Sequence, residues 1–148
     1  MAYNPVNVNG QATSANSSPV VIASDQSAVS ITDKPATSGG LTTYHLVSAA
    51  TTNATVVKAS AGQLYGYMIY NSNASMRKVA FHNIASSPTA GASIYFSLSI
   101  PGGAAANVSF PQGIAFSTGI AITTVTTVAD SGSSAVAAND LNINLWYA

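Results

Sequence analysis

From Leu41 onward, short runs of β-type residues alternate with Gly, Asn, Ser and Pro at intervals of about ten residues, the rhythm of an all-β fold. This pattern predicts strands near Thr42–Ser48, Ala54–Ala59, Leu64–Tyr70, Lys78–Ile84, Ser93–Ile100, Ala106–Phe110, Ile114–Phe116, Ile120–Val128 and Leu141–Tyr147. Several runs alternate with period two, which turns every second side chain to one face. Ile94, Phe96, Leu98 and Ile100 fall on one face, with Tyr95, Ser97 and Ser99 opposite. Leu141, Ile143, Leu145 and Tyr147 alternate with Asn142, Asn144 and Trp146. Val79 and Phe81 share a face opposite Lys78, Ala80 and His82, and Tyr65 and Tyr67 are expected to share another. Asn71-Ser72-Asn73 reads as a polar hairpin and Pro101-Gly102-Gly103 as a sharp reversal. The one helical candidate is a single turn within the Ala-rich Ser133–Asp140.

Short strands joined mostly by hairpins predict an all-β, antiparallel β-sandwich or jelly-roll-like body over residues 41–148. Residues 1–40 have a different character. They are rich in Asn, Ser, Ala, Pro and Gly and carry only two short apolar runs, Val20-Val21-Ile22 and Val29-Ser30-Ile31. Asp33-Lys34-Pro35-Ala36-Thr37-Ser38-Gly39-Gly40 reads as a linker, because Pro lacks a backbone donor and Gly resists regular structure. The expectation is an extended N-terminal arm whose two runs are of edge-strand length.

Charge sharpens this picture. Of the 148 residues only 5% are charged, against roughly 25% in a typical domain, and the formal net charge is zero. Yet 47% are hydrophobic, whereas disordered chains combine low hydrophobicity with high charge. A surface so poor in charge has little that opposes association, which predicts self-association as a trimer or dimer. Arg77-Lys78 is the one cationic pair, far short of a nucleic-acid footprint. No apolar run is long enough to span a bilayer as a helix, so no membrane partner is expected.

Candidate chemistry is sparse. There is no Cys and no Glu, and the acids are Asp25, Asp33, Asp130 and Asp140. His45 and His82 are the only histidines, too few for a zinc site without other ligands, and are expected to face solvent or a neighbouring subunit. No Gly-x-Ser-x-Gly elbow, phosphate-binding loop or EF-hand loop occurs. The expectation is a protein without catalytic activity, metal or cofactor. The residues that stand out for binding are Val20, Val21, Ile22, Val29 and Ile31 in the arm, and Tyr65 and Tyr67 in the body. Exposed aromatics serve as subunit anchors or stack on sugar rings.

The phrase Pro19-Val20-Val21-Ile22-Ala23-Ser24-Asp25-Gln26-Ser27-Ala28-Val29 resembles a segment that recurs in structural proteins of tailed bacteriophages. Three stretches of the body look like the module that often follows it. They are Val57-Lys58-Ala59-Ser60-Ala61-Gly62-Gln63-Leu64-Tyr65-Gly66, Phe110 to Ile120, and Ala129-Asp130 with Ala135 to Asp140. The resemblance covers about residues 18–148 and brings no catalytic or ligand residue with it. It implies a virion structural protein, made in the bacterial cytoplasm and assembled into a particle. Its expected role is capsid decoration, with the major capsid protein as partner. A tail or fibre module that binds a host glycan is the alternative.

Overall fold

The computed structural model describes residues 40–148. The expectations about the arm, including those for Val20, Val21, Ile22, Val29 and Ile31, lie outside the described residues.

The described chain is all-β. Its strands are β1 (Thr42–Val47), β2 (Thr55–Lys58), β3 (Gly62–Asn71), β4 (Arg77–Asn83), β5 (Phe96–Ile100), β6 (Ala105–Phe116), β7 (Ile120–Val125) and β8 (Leu141–Tyr147). They form two antiparallel four-stranded sheets, β1-β8-β3-β6 and β2-β7-β4-β5, an arrangement consistent with a β-sandwich. The pairing is nested: β1 with β8, β2 with β7, β3 with β6 and β4 with β5. Only β4 and β5 are consecutive strands of one sheet. The expectation of mostly hairpin connections is therefore corrected: every other connection crosses between sheets. Asn71-Ser72-Asn73 is one of these crossings, not a hairpin, and Ser133–Asp140 contains no helical turn.

One core lies between the sheets. Leu64, Tyr67 and Ile69 of β3 and Leu141, Ile143 and Leu145 of β8 meet Val79 and Phe81 of β4 and Ile120 and Ile122 of β7. Phe81 stacks on Phe96 with centroids 4.4 Å apart, and Phe116 closes on Phe96 and Tyr95. The β5 and β8 alternations hold as expected: Phe96, Leu98 and Ile100 pack inward, as do Leu141, Ile143 and Leu145.

Two strands depart from the expected pattern, each for a local reason. The predicted runs 106–110 and 114–116 are one strand, β6, that continues through Pro111. Proline is tolerated because it falls between Ser109 and Ile114, where β6 has no partner on β3, and because β6 is a sheet edge. Between Leu64 and Gly66 the register shifts on both neighbours: against β8 the extra residue is Tyr65 of β3, which makes it a bulge residue, whereas against β6 the extra residues are 110–113 of β6.

Polar side chains tie the crossing loops together at one end. The buried Asn71 side chain donates to the carbonyls of Ser75, Ile100 and Pro101. Ser48 Oγ donates to Ala137 O and accepts from Leu141 N–H, both at 3.0 Å. Asp140 accepts from Arg77 Nε at 2.5 Å, from Asn73 Nδ2 at 2.9 Å and from Ala137 N–H at 3.0 Å. Backbone groups that cross from sheet to sheet have no ladder partner, and these side chains supply one.

Candidate binding face

The outer faces of the two sheets differ in what covers them. On the β2-β7-β4-β5 sheet, Lys78, Ala80 and His82 of β4 sit beside Val125, Thr123 and Ala121 of β7, and all six are buried. Lys78, wholly buried, donates from Nζ to Val128 O (3.2 Å), Ala129 O (2.6 Å) and Asp130 Oδ1 (3.1 Å). His82 Nδ1 lies 3.2 Å from Ser93 O, which can only accept, so Nδ1 carries the proton. Nε2 then accepts from the Thr123 hydroxyl at 2.9 Å. The chain's own β4–β5 and β7–β8 connections thus supply the polar partners of this face. His82 was expected to face solvent or a subunit; instead its partners come from its own chain. His45 alone is exposed, and its Nδ1 lies 2.9 Å from Asn144 Oδ1. Among the described residues, no three His, Asp, Glu or Cys side chains gather as a metal site.

The β3 bulge also separates the two tyrosines. Tyr67 turns into the core, 6.0 Å from the Phe110 ring and 6.4 Å from Phe81, and burial pushes its hydroxyl pKa up. Tyr65 is half-buried, and its hydroxyl donates to Gln63 Oε1. They do not share a face. Period-two counting placed them together because a bulge adds one residue to one strand without a composition signal.

Among the described residues, no loop covers the outer face of the β1-β8-β3-β6 sheet in the same way. Register sets its side chains in three cross-strand rows. The rows are Thr43–Trp146–Gly66–Ser109, His45–Asn144–Met68–Asn107 and Val47–Asn142–Tyr70–Ala105. Met68 and Tyr70 are 44% and 45% exposed. Asn144 Nδ2 donates to Asn142 Oδ1 at 3.2 Å, continuing the polar line from His45. A shallow groove of about 270 Å³ lies here, lined by Tyr67, Met68, Asn107, Val108, Ser109 and Trp146. Its floor depends on Gly66. A Cβ at that position would sit 2.6 Å from Val108 O and 3.2 Å from Trp146 Cε3, so any side chain would push against the β6 backbone and crowd the indole. Trp146 was legible as an alternating position, but the glycine beneath the indole was not.

Buried titratable groups make stability depend on pH. Burial holds the His82 pKa below its ordinary 6.5, although hydrogen bonds to the backbone of Ser93 and Ala92 oppose the shift. As pH falls below about 6.5 the unfolded chain takes up a proton that folded His82 refuses, so stability falls. For Asp140, burial pushes the pKa up. Hydrogen bonds from Arg77, Ala137 and Asn73, with the Arg77 charge, outweigh this and leave it below 3.8. Its contribution is present above 3.8 and is lost as pH falls through the folded value. Urea midpoints measured across pH should therefore decline in two stages, and His82→Gln should remove the upper stage alone.

No family model, no curated protein and no solved structure matches the chain.

Proposed function

We propose that the chain is a non-enzymatic virion structural protein, a decoration protein that binds and stabilises the major capsid protein lattice of a tailed bacteriophage. The observation that carries this reading is where the charges go. Of the charged side chains among the described residues, Arg77, Lys78 and Asp140 are buried in ion pairs and hydrogen bonds. Only Lys58 and Asp130 reach the surface, and Asp130 is already paired with Lys78. A body that uses its charges internally and shows amides, hydroxyls and apolar groups outside is suited to permanent assembly. The nested order of strands supports a jelly-roll topology, common in virion proteins. The resemblance of residues 18–148 to phage structural modules points the same way.

In this reading residues 1–40 form the tether. Val20–Ile22 and Val29–Ile31 add strands to an exposed sheet edge of a capsid subunit or a sister copy. Ordering each arm residue costs roughly 1–2 kcal/mol of backbone entropy, so the arm orders only where pairing offsets it. The test uses purified particles and the full chain. Ile22→Asp with Ile31→Asp, and deletion of 1–40, should each abolish co-sedimentation with particles while the far-ultraviolet β signal of the body persists. Wild-type attachment should change by less than about threefold between low and 1 M salt, since screening acts on charges. Attachment that survives both arm variants would overturn the tether. A second reading, a tail or fibre module that binds a host glycan, is favoured by the open groove at Trp146.

A further inference from the structure

The groove over Gly66 has the chemistry of a small ligand site. Trp146 belongs to β8, and its neighbours Leu145 and Tyr147 pack toward the core while the indole lies on the outer face. Gly66 lies directly across from it and leaves room for the ring to settle against the sheet. Along the far wall, Asn107 and Ser109 of β6 are both exposed. Met68 supplies an apolar side wall. An aromatic plane with an amide and a hydroxyl beside it meets a ligand that has one apolar face and a rim of hydroxyls.

Charge narrows the class further. The three rows of this face contain no carboxylate, lysine or arginine, and their one imidazole, His45, is engaged with Asn144. An anionic ligand would meet no counter-charge, and neither would a cation. The volume, about 270 Å³, admits one ring-sized group and not an extended drug-sized ligand. A second copy of the chain is a poorer occupant. Asn142 and Asn144 separate Val47 from Met68 and Tyr70, so the exposed apolar side chains do not join across the sheet.

We infer that the Trp146 groove is a binding site for a single neutral pyranose ring, with its C–H face on the indole and its hydroxyls on Asn107 and Ser109. The inference stands on the groove alone and holds whether or not the chain attaches to a particle.

Trp146 is the only tryptophan of the 148 residues, so intrinsic emission of the full chain reports on this groove. The probes are methyl α-glucoside, methyl α-mannoside, methyl β-galactoside, N-acetylglucosamine and, as a charged control, glucuronate. At least one neutral probe should shift the emission saturably in roughly the millimolar range, unchanged by 1 M salt. Asn107→Ala, an exposed change that leaves the core intact, should weaken that probe by about two- to tenfold, the size of a lost hydrogen bond. Trp146→Phe should keep the fold and weaken the ligand-detected magnetisation transfer to the same probe.

Three kinds of result would overturn the inference. One is no saturable shift with any neutral probe. Another is undiminished binding in Asn107→Ala with Ser109→Ala, or a preference for glucuronate. The third is a concentration-dependent dimer in sedimentation that Met68→Glu abolishes, which would make a second copy the occupant.

Discussion

Arg77→Ala should lower unfolding free energy by about 3–5 kcal/mol, the cost of leaving one buried member of an ion pair without its partner. Arg77 and Asp140 are both buried, and Nε stands 2.5 Å from Oδ2. Arg77 opens β4, while Asp140 ends the long connection into β8. Each strand belongs to a different sheet, so the pair ties the two sheets at one end. With the guanidinium gone, the Asp140 carboxylate keeps only Asn73 Nδ2 and the Ala137 N–H. At a slope of about 2 kcal/mol per molar urea, the midpoint should fall by roughly 2 M. A fall below about 0.5 M would mean that water already reaches the carboxylate.

The double change Arg77→Met with Asp140→Leu separates attraction from desolvation. Replacing both charges by apolar groups is often near neutral. Here recovery should be partial, because Asn73 and Ala137 lose an acceptor that neither replacement supplies. The double variant should lie between Arg77→Ala and the wild type. It should also lack the stability loss that wild type shows as pH falls below 3.8.

What the sequence disclosed and what it hid divide along one physical line. Alternation reports which residues share a strand face, and it correctly paired Phe96 with Leu98 and Leu141 with Ile143. It does not report whether the opposite face is wet. Lys78 and His82 alternate with Val79 and Phe81 as an exposed face would, yet all four are wholly buried. The cover comes from loop segments with no periodicity of their own, from Ser93 and from Val128 to Asp130. The same blindness hid the bulge at Tyr65 and the role of Gly66, since both depend on a neighbouring strand rather than on local pattern.

The two-sided burial of β4 leads to the second large expectation, a contrast between its faces. Phe81→Ala should cost about 3–5 kcal/mol, the range for emptying a well-packed aromatic site. Phe81 is wholly buried, stacks on Phe96 and contacts Tyr67. Collapse around the void is opposed because both neighbouring rings belong to strands fixed by ladders on β3 and β5. Asp130→Ala acts on the other face. Its side chain is 73% exposed, so its attraction to Lys78 is screened and its removal should change global stability by about 1 kcal/mol or less. The ammonium nonetheless loses its one charged partner among the described residues and keeps only the Val128 and Ala129 carbonyls. Hydrogen exchange should therefore separate the two variants. Phe81→Ala should accelerate exchange in β4, β7 and β8 together, because the core opens as one unit. Asp130→Ala should accelerate it at Thr126 and Gly132, whose amides are bonded within the covering loop, and leave the ladder between β4 and β7 protected. Equal acceleration of both sets in Asp130→Ala would mean that cover and core unfold as a single cooperative layer.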